Sequence, residues 1–316
     1  MANCEQMQNS NQSLTASITS SIYQYRAENG RTYHAHKDGQ YPYPNDDREQ
    51  DRLDLQHHLF LISMNGKLYL APITEQPQDV LDIGTGTGLW AIDFADEHPS
   101  ARVLGTDLSP IQPTDVPPNL SFEVDDANEP WTYSHKFDFI HCRQHHCAIN
   151  EKPMFVQAME FLQPGGWLEM QELAFPIGCD DGTVLPNSAL FKWSDLMLKA
   201  SRIPGQDLDN ASHYEEWMKE AGFEDVHATM YKWPGNNWPQ DKTEKTRGLW
   251  MMTNHLDGLQ GFTVGLFTRV YGWSPEEVEV FLAAVRKDIK SKNMHAWWPV
   301  YIVYGQKPKA SADSEA

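Results

Sequence analysis

Apolar and polar positions change period several times along the chain, and each change marks an element. From Asp46 onward, Leu53, Leu55, Leu59, Ile62 and Met64 recur at near-helical spacing up to Asn65-Gly66, which predicts an amphipathic helix leading into a core. The apolar run Asp79-Val80-Leu81-Asp82-Ile83 passes directly into Gly84-Thr85-Gly86-Thr87-Gly88 and then a helical pattern over 89–97, giving strand, glycine turn and helix. Further strands are predicted over 102–106, ending at Asp107, over 120–124, ending at Asp125-Asp126, and over 137–141. A helix over 154–162 and the turn Gln163-Pro164-Gly165-Gly166 lead to a strand over 167–173. Strands alternating with helices imply right-handed βαβ units and a parallel sheet covered on both faces.

Beyond residue 174 the alternation weakens. Helices are predicted over 186–200 and 211–221, with Gly222 as a stop, then a strand over 224–233. Ser274-Pro275-Glu276-Glu277 opens another helix, with Ser as cap, Pro at the first helical position and Glu277 closing a capping box. Its apolar face is Val278, Phe281, Leu282, Val285 and Ile289, and a strand over 297–305 ends the core. The first 20 or so residues form a polar tail, and 23–44, dense in Tyr, Gly, Pro and His, has no clean period, so no regular structure is expected there. The expected organisation is a flexible tail and irregular segment over 1–45, one elaborated domain over 46–308 with helical insertions at about 180–221 and 240–291, and a flexible tail over 309–316.

Composition narrows the partners. A hydrophobic fraction of 40%, with 11 Trp and 13 Phe among 316 residues, supplies a large core. The net charge of −19 argues against a nucleic-acid partner, since phosphate backbones are held by Lys and Arg, but leaves a basic protein tail open. No apolar run approaches the roughly 20 residues needed to cross a bilayer, and the first 21 residues lack a basic start and an apolar segment, so no membrane partner is expected and the location expected is cytoplasmic. Cys4, Cys142, Cys147 and Cys179 have no CxxC spacing, which suits a reducing compartment.

Ligands of an open parallel sheet gather at the carboxyl ends of its strands. Four predicted strand ends bring polar residues there: Asp82 with its glycine loop, Asp107, Asp125-Asp126, and His141 with Arg143. The glycines let backbone approach a ligand, and Asp107 stands where a carboxylate accepts both hydroxyls of a ribose, so the pattern points to a nucleoside-containing cofactor. A dinucleotide fingerprint needs a third glycine at position 89, which is Leu; here it is Gly88. Asp82 would repel a pyrophosphate and suits an ammonium group, directly or through water, which disfavours a nicotinamide cofactor. At this point the chain resembles class I methyltransferases that use S-adenosylmethionine, with Val80 to Gly88 as their first motif.

A closer resemblance covers about Glu28 to Pro308. Gly30-Arg31-Thr32-Tyr33-His34, Pro44-Asn45-Asp46-Asp47, Asp51-Arg52-Leu53-Asp54, Leu70-Ala71-Pro72-Ile73, the run from Gly105 to Pro113, Pro164-Gly165-Gly166-Trp167 and Tyr304-Gly305-Gln306-Lys307-Pro308 are similar to the fungal LaeA-type methyltransferase family. The resemblance implies a Rossmann-like α/β fold, a seven-stranded, mostly parallel sheet with an antiparallel last strand and helical lid insertions. It implies S-adenosylmethionine as cofactor, with Asp82, Gly84, Gly86 and Gly88 at its methionine end, Asp107 at the ribose, and Asp125 or Asp126, or the backbone beside them, at the adenine. Thr85 and Leu108 belong to the same cofactor-binding set, and His141 and Arg143 border the cofactor and face the acceptor. The family holds enzymes that methylate secondary metabolites and velvet-associated regulators of their synthesis. The leading expectation is O-, N- or S-methylation of a small, apolar or aromatic fungal metabolite; the alternative is a nuclear regulator with a velvet-type protein partner.

Gln144-His145-His146-Cys147 departs from the less polar family pattern, and His145 or His146 is the candidate base if the acceptor must lose a proton. His141, Cys142, His145, His146 and Cys147 crowd seven positions, yet no second pair has ligand spacing, so no metal is expected. His57-His58 reads as a packed and solvated pair. Phe191, Trp193, Met197, Trp250, Met251, Met252 and Trp273 are expected in a lid over the acceptor.

Overall fold

A computed structural model of the chain describes residues 25–28, 30–33, 43–145 and 148–310. Its centre is a seven-stranded sheet of β3 (Asp79–Ile83), β4 (Arg102–Asp107), β5 (Leu120–Val124), β6 (Phe137–Arg143), β7 (Leu162–Leu173), β8 (Glu224–Pro234) and β9 (Trp297–Gln306), in the order β5-β4-β3-β6-β7-β9-β8. Neighbours from β5 to β7 pair in parallel, whereas β9 runs antiparallel to both β7 and β8. This is the class I methyltransferase arrangement that the resemblance implies. Strand order reverses at β3, with β4 on one side and β6 on the other, so a crevice opens above their carboxyl ends. All five residues of β3 are buried, as a strand covered on both faces requires.

Helices α1 (Asp47–Ser63), α2 (Leu89–Glu97), α3 (Glu151–Phe161), α4 (Ala189–Arg202), α5 (Tyr214–Glu220), α6 (Lys242–Tyr271) and α7 (Pro275–Ile289) cover the sheet. Asp46 caps α1 by accepting from Glu49 N at 3.1 Å, and the expected capping box of Ser274 and Glu277 starts α7. Helices α1, α4, α6 and α7 share an apolar cluster with β7, β8 and β9 that includes Leu59, Phe60, Trp193, Phe267 and Leu282. Among the described residues no helix is long and apolar enough to cross a membrane.

Three local features differ from expectation. Where no regular structure was expected, β1 (Arg26–Glu28) and β2 (Arg31–Tyr33) form a hairpin, whose Arg31 is buried and donates to Asp46 Oδ1 at 2.7 Å. Strands of three residues are too short to show a period. Strand β6 continues two residues past His141, because Cys142 and Arg143 stay in register with Met170 and Gln171 of β7. The helix expected over 211–221 is a 3-10 turn at Asn210–His213 followed by α5.

Candidate active site

The loop after β3 carries left-handed backbone at Gly84, Gly86 and Gly88, with φ of 62°, 59° and 85°. A Cβ on Gly84 would lie 1.8 Å from His145 Cε1, so this position tolerates no side chain. Asp82 sits beneath the loop. Its Oδ2 accepts from Thr85 Oγ1 at 2.6 Å and its Oδ1 from His141 Nδ1 at 2.7 Å. Asp82 lines the crevice as expected, and each of its two oxygens accepts one hydrogen bond from within the fold. His141 is fully buried, its pKa is held below the usual histidine value by that burial, and its ring stacks on Trp90 at 3.7 Å. Trp90 in turn donates Nε1–H to Leu68 O at 3.0 Å, so the packing role expected for it extends to fixing the His141 ring.

Across the crevice, Asp107 ends β4. Its Oδ2 accepts from Gly86 N at 2.9 Å and its Oδ1 from Ser109 N at 2.8 Å, which ties the glycine loop to the neighbouring strand end. Burial raises its pKa to about 6 against the opposing pull of those backbone donors. Gln112 Nε2 adds a clamp, donating to Gly86 O at 2.7 Å and Ser109 O at 2.9 Å. Farther along the edge, Asp125 Oδ1 accepts from Asp126 N at 2.9 Å, and Tyr133 donates its hydroxyl to Asp125 Oδ2 at 3.2 Å. Asp126 Oδ1 accepts from Asn128 N at 3.0 Å.

The opposite wall comes from α1. Arg143 Nη2 donates to His57 Nδ1 at 2.8 Å, and His57 Nε2 bonds Asp93 Oδ2 on α2 at 2.9 Å. Burial lowers the Arg143 pKa to about 10, and its Nη1 is buried without a partner. His57 belongs to this wall, where the sequence suggested only a packed and solvated pair. His145 donates Nε2–H to Ile83 O at 2.7 Å, and its main-chain N–H goes to Glu172 Oε2 at 2.6 Å. Burial pulls the His145 pKa down to about 4, so its ring is neutral near pH 7 and weakly basic. His146, the other candidate base, lies outside the described residues, as does Cys147. Among the described residues no cluster of His, Cys, Asp or Glu could hold a metal ion.

Asp82, Gly84, Thr85, Gly86, Asp107, Leu108, Asp125, Asp126, His141, Arg143 and His145 all line one crevice of about 1140 Å³, including its open mouth. Gly88 does not. Its left-handed turn starts α2, and a Cβ there would meet Phe122 at 2.5 Å. Glu49, Gln56 and His57 line the crevice without having been singled out as site residues. The only sequence signal for them was family resemblance in the flanking segments 44–47 and 51–54. Of the expected lid residues, Met197 faces a second cavity. Trp193 and Met251 are buried in the core, Trp193 donating Nε1–H to Thr263 Oγ1 at 2.9 Å.

A family model described as a methyltransferase domain matches residues 55–228. The chain belongs to this methyltransferase family. It is 46% identical over 84% of its length to the probable methyltransferase tdiE of Emericella nidulans, covering 83% of that protein. It is 42% identical over 94% to the methyltransferase pytC of Aspergillus terreus, covering 92%, and 36% identical over 89% to the secondary metabolism regulator LAE1 of Cochliobolus heterostrophus, covering 94%. The chain is thus a methyltransferase of the S-adenosylmethionine-dependent class. The residues present suit the cofactor chemically: a left-handed glycine loop at the carboxyl end of β3, a carboxylate at the end of β4, and an unpaired guanidinium N–H of Arg143 that suits a carboxylate ligand.

Proposed function

We propose that this enzyme methylates a small molecule of fungal secondary metabolism, at oxygen, nitrogen or sulfur, with the cofactor in the crevice above β3, β4, β5 and β6. The observation that carries this reading is the Asp107 carboxylate pinned to Gly86 N across the crevice, a preformed acceptor for ribose hydroxyls. When bound, S-adenosylmethionine supplies a methyl group on a positively charged sulfur. Displacement at that methyl is in line, so the chain contributes mainly position and exclusion of water. In this reading Arg143 receives the methionine carboxylate, and Asp82 acts through His141 and Thr85, whose places it fixes. Leu108 packs beside the ribose, and Asp125, Asp126 or the backbone beside them meets the adenine. His145 shapes the floor under Gly84 and does not serve as the base, given its bond to Ile83 O and its depressed pKa.

Residues 46–308 act as one catalytic unit in this account, with about 180–221 and 240–291 closing over an apolar or aromatic acceptor. A cytoplasmic enzyme without a nucleic-acid partner accords with the charge of −19. Similarity to the regulator LAE1 favours a second reading in which the protein works in the nucleus with a velvet-type partner; the higher identities to tdiE and pytC favour the first. Metabolite profiling of a deletion strain complemented with Asp107→Ala separates them. One unmethylated intermediate accumulating is the expected result, and collapse of many unrelated pathways would establish the regulator instead.

A further inference from the structure

The cofactor crevice continues into a second cavity of about 670 Å³, and the two share Pro44, Glu49, Leu53, Gln56 and Gln144 as lining. Beyond that junction the second cavity has an apolar, partly aromatic side of Leu173, Phe175, Leu208 and Phe262 and a polar side of Arg52, Asn254 and His255. Two polar groups at the junction are held in place with hydrogen-bonding capacity to spare.

Gln144 is one of them. Its backbone is left-handed at φ 59°, a conformation costly for a residue with a Cβ, and its N–H donates to Gln171 O at 3.0 Å. Gln56 Nε2 donates to Gln144 Oε1 at 3.1 Å, which orients the amide, and Gln144 Nε2 is buried with no partner. Glu49 is the other. It is 4% exposed, and Arg52 grips it through Nε at 3.0 Å and Nη2 at 2.7 Å, both on Oε1, which leaves Oε2 outside the guanidinium fork. Arg52 Nη1 donates to Asn254 Oδ1 at 2.7 Å, so the cation itself is anchored between α1 and α6.

An unpaired donor and a buried carboxylate at one junction fit a group that both accepts and donates. We propose that the methyl acceptor is the hydroxyl of a flat, apolar phenol or enol lying in the second cavity, its oxygen accepting from Gln144 Nε2 and its proton going to Glu49. The proposal rests on the crevice being the cofactor site. The new bond joins the acceptor oxygen to the methyl carbon, and the carbon–sulfur bond breaks with its electron pair staying on sulfur as a neutral thioether. The hydroxyl proton passes to the Glu49 carboxylate and from there to solvent. A tertiary amine or thioether has no proton for Glu49, a protonated primary amine has no lone pair for Gln144, a thiol sulfur is only a weak acceptor, and a carboxylate would meet Glu49 with like charge.

The test uses 2-naphthol as probe on full-length protein. Protein loaded with S-adenosylhomocysteine should bind 2-naphthol, and protein with S-adenosylmethionine should convert it to 2-methoxynaphthalene. At saturating S-adenosylmethionine, Glu49→Gln should lower the rate about 100-fold or more. That loss should shrink by about tenfold or more with 4-nitrophenol, which ionises without help from a base. Leu208→Trp, which fills the cavity, should abolish 2-naphthol binding while S-adenosylhomocysteine still binds. The proposal is overturned by a wild-type rate in Glu49→Gln, by an equal loss with both phenols, by 2-naphthol binding that ignores Leu208→Trp, or by wild-type protein that takes S-adenosylhomocysteine but neither phenol. Wild-type protein that fails to bind S-adenosylhomocysteine overturns the cofactor reading itself, a different and separately visible result.

Discussion

Asp107 faces opposed demands. Burial favours its neutral form, while the N–H groups of Gly86 and Ser109 favour the charged one, and burial prevails, leaving a pKa of about 6. A folded-state value above the ordinary one means that the stability Asp107 contributes is fully present below its usual pKa of 3.8 and is lost as pH rises through about 6. Cofactor binding has the opposite sign, because ribose hydroxyls donate to the ionised carboxylate. Affinity for S-adenosylhomocysteine should therefore rise about tenfold between about pH 5 and pH 7, a slope that Asp107→Asn should abolish while weakening binding throughout. Titration calorimetry across that range checks it, and a flat wild-type profile would contradict the role given to this carboxylate. Asp107 was legible in the sequence because spacing from the glycine loop encodes it. The inward bonds of Asp82 were not, since the partners are Thr85, three residues away, and His141, fifty-nine away on another strand.

At the level of elements, β7 carries buried carboxylates that the apolar pattern of its strand does not advertise. Glu169 Oε2 accepts the main-chain N–H groups of Leu70 at 2.8 Å and Ala71 at 2.6 Å, fastening the segment after α1 to the sheet. Burial raises its pKa to about 7, so its contribution to stability is complete at acid pH and is lost as pH rises through about 7. Glu169→Leu should cost about 2–4 kcal/mol by orphaning two buried donors, whereas Glu169→Gln should cost less and flatten the pH slope. Urea unfolding at about pH 6 and pH 8 measures both; equal stability of Glu169→Leu and wild type would contradict the fastening role. The strand, turn and helix over 79–97 were legible because the hydrophobic period switches from strand to helix across a glycine triplet. Helix α1 was legible as a helix, yet its buried polar residues Glu49, Arg52, Gln56 and His57 were not recognisable as a wall of the site. The apolar period of the helix leaves such residues on its polar side, and only their contacts with β6 and α6 show them buried.

For the whole molecule, the alternation of strands and helices foretold a parallel sheet because βαβ handedness leaves few alternatives, whereas its seven strands and antiparallel last strand were what the family resemblance implied. What sequence order could not convey is that the crevice extends into a second cavity, since the junction joins α1 to the irregular turn after β6 across eighty-eight positions between Gln56 and Gln144. The crevice and the cavity together describe a catalyst for small molecules. All of this depends on S-adenosylmethionine occupying the crevice against Asp107. Calorimetric titration of wild type and Asp107→Ala with S-adenosylhomocysteine and with NAD tests that dependence most directly. The account predicts one S-adenosylhomocysteine bound per wild-type chain, about 10- to 100-fold weaker binding to Asp107→Ala, and no NAD binding. Preferential binding of NAD, or S-adenosylhomocysteine bound equally well without the carboxylate, would contradict it.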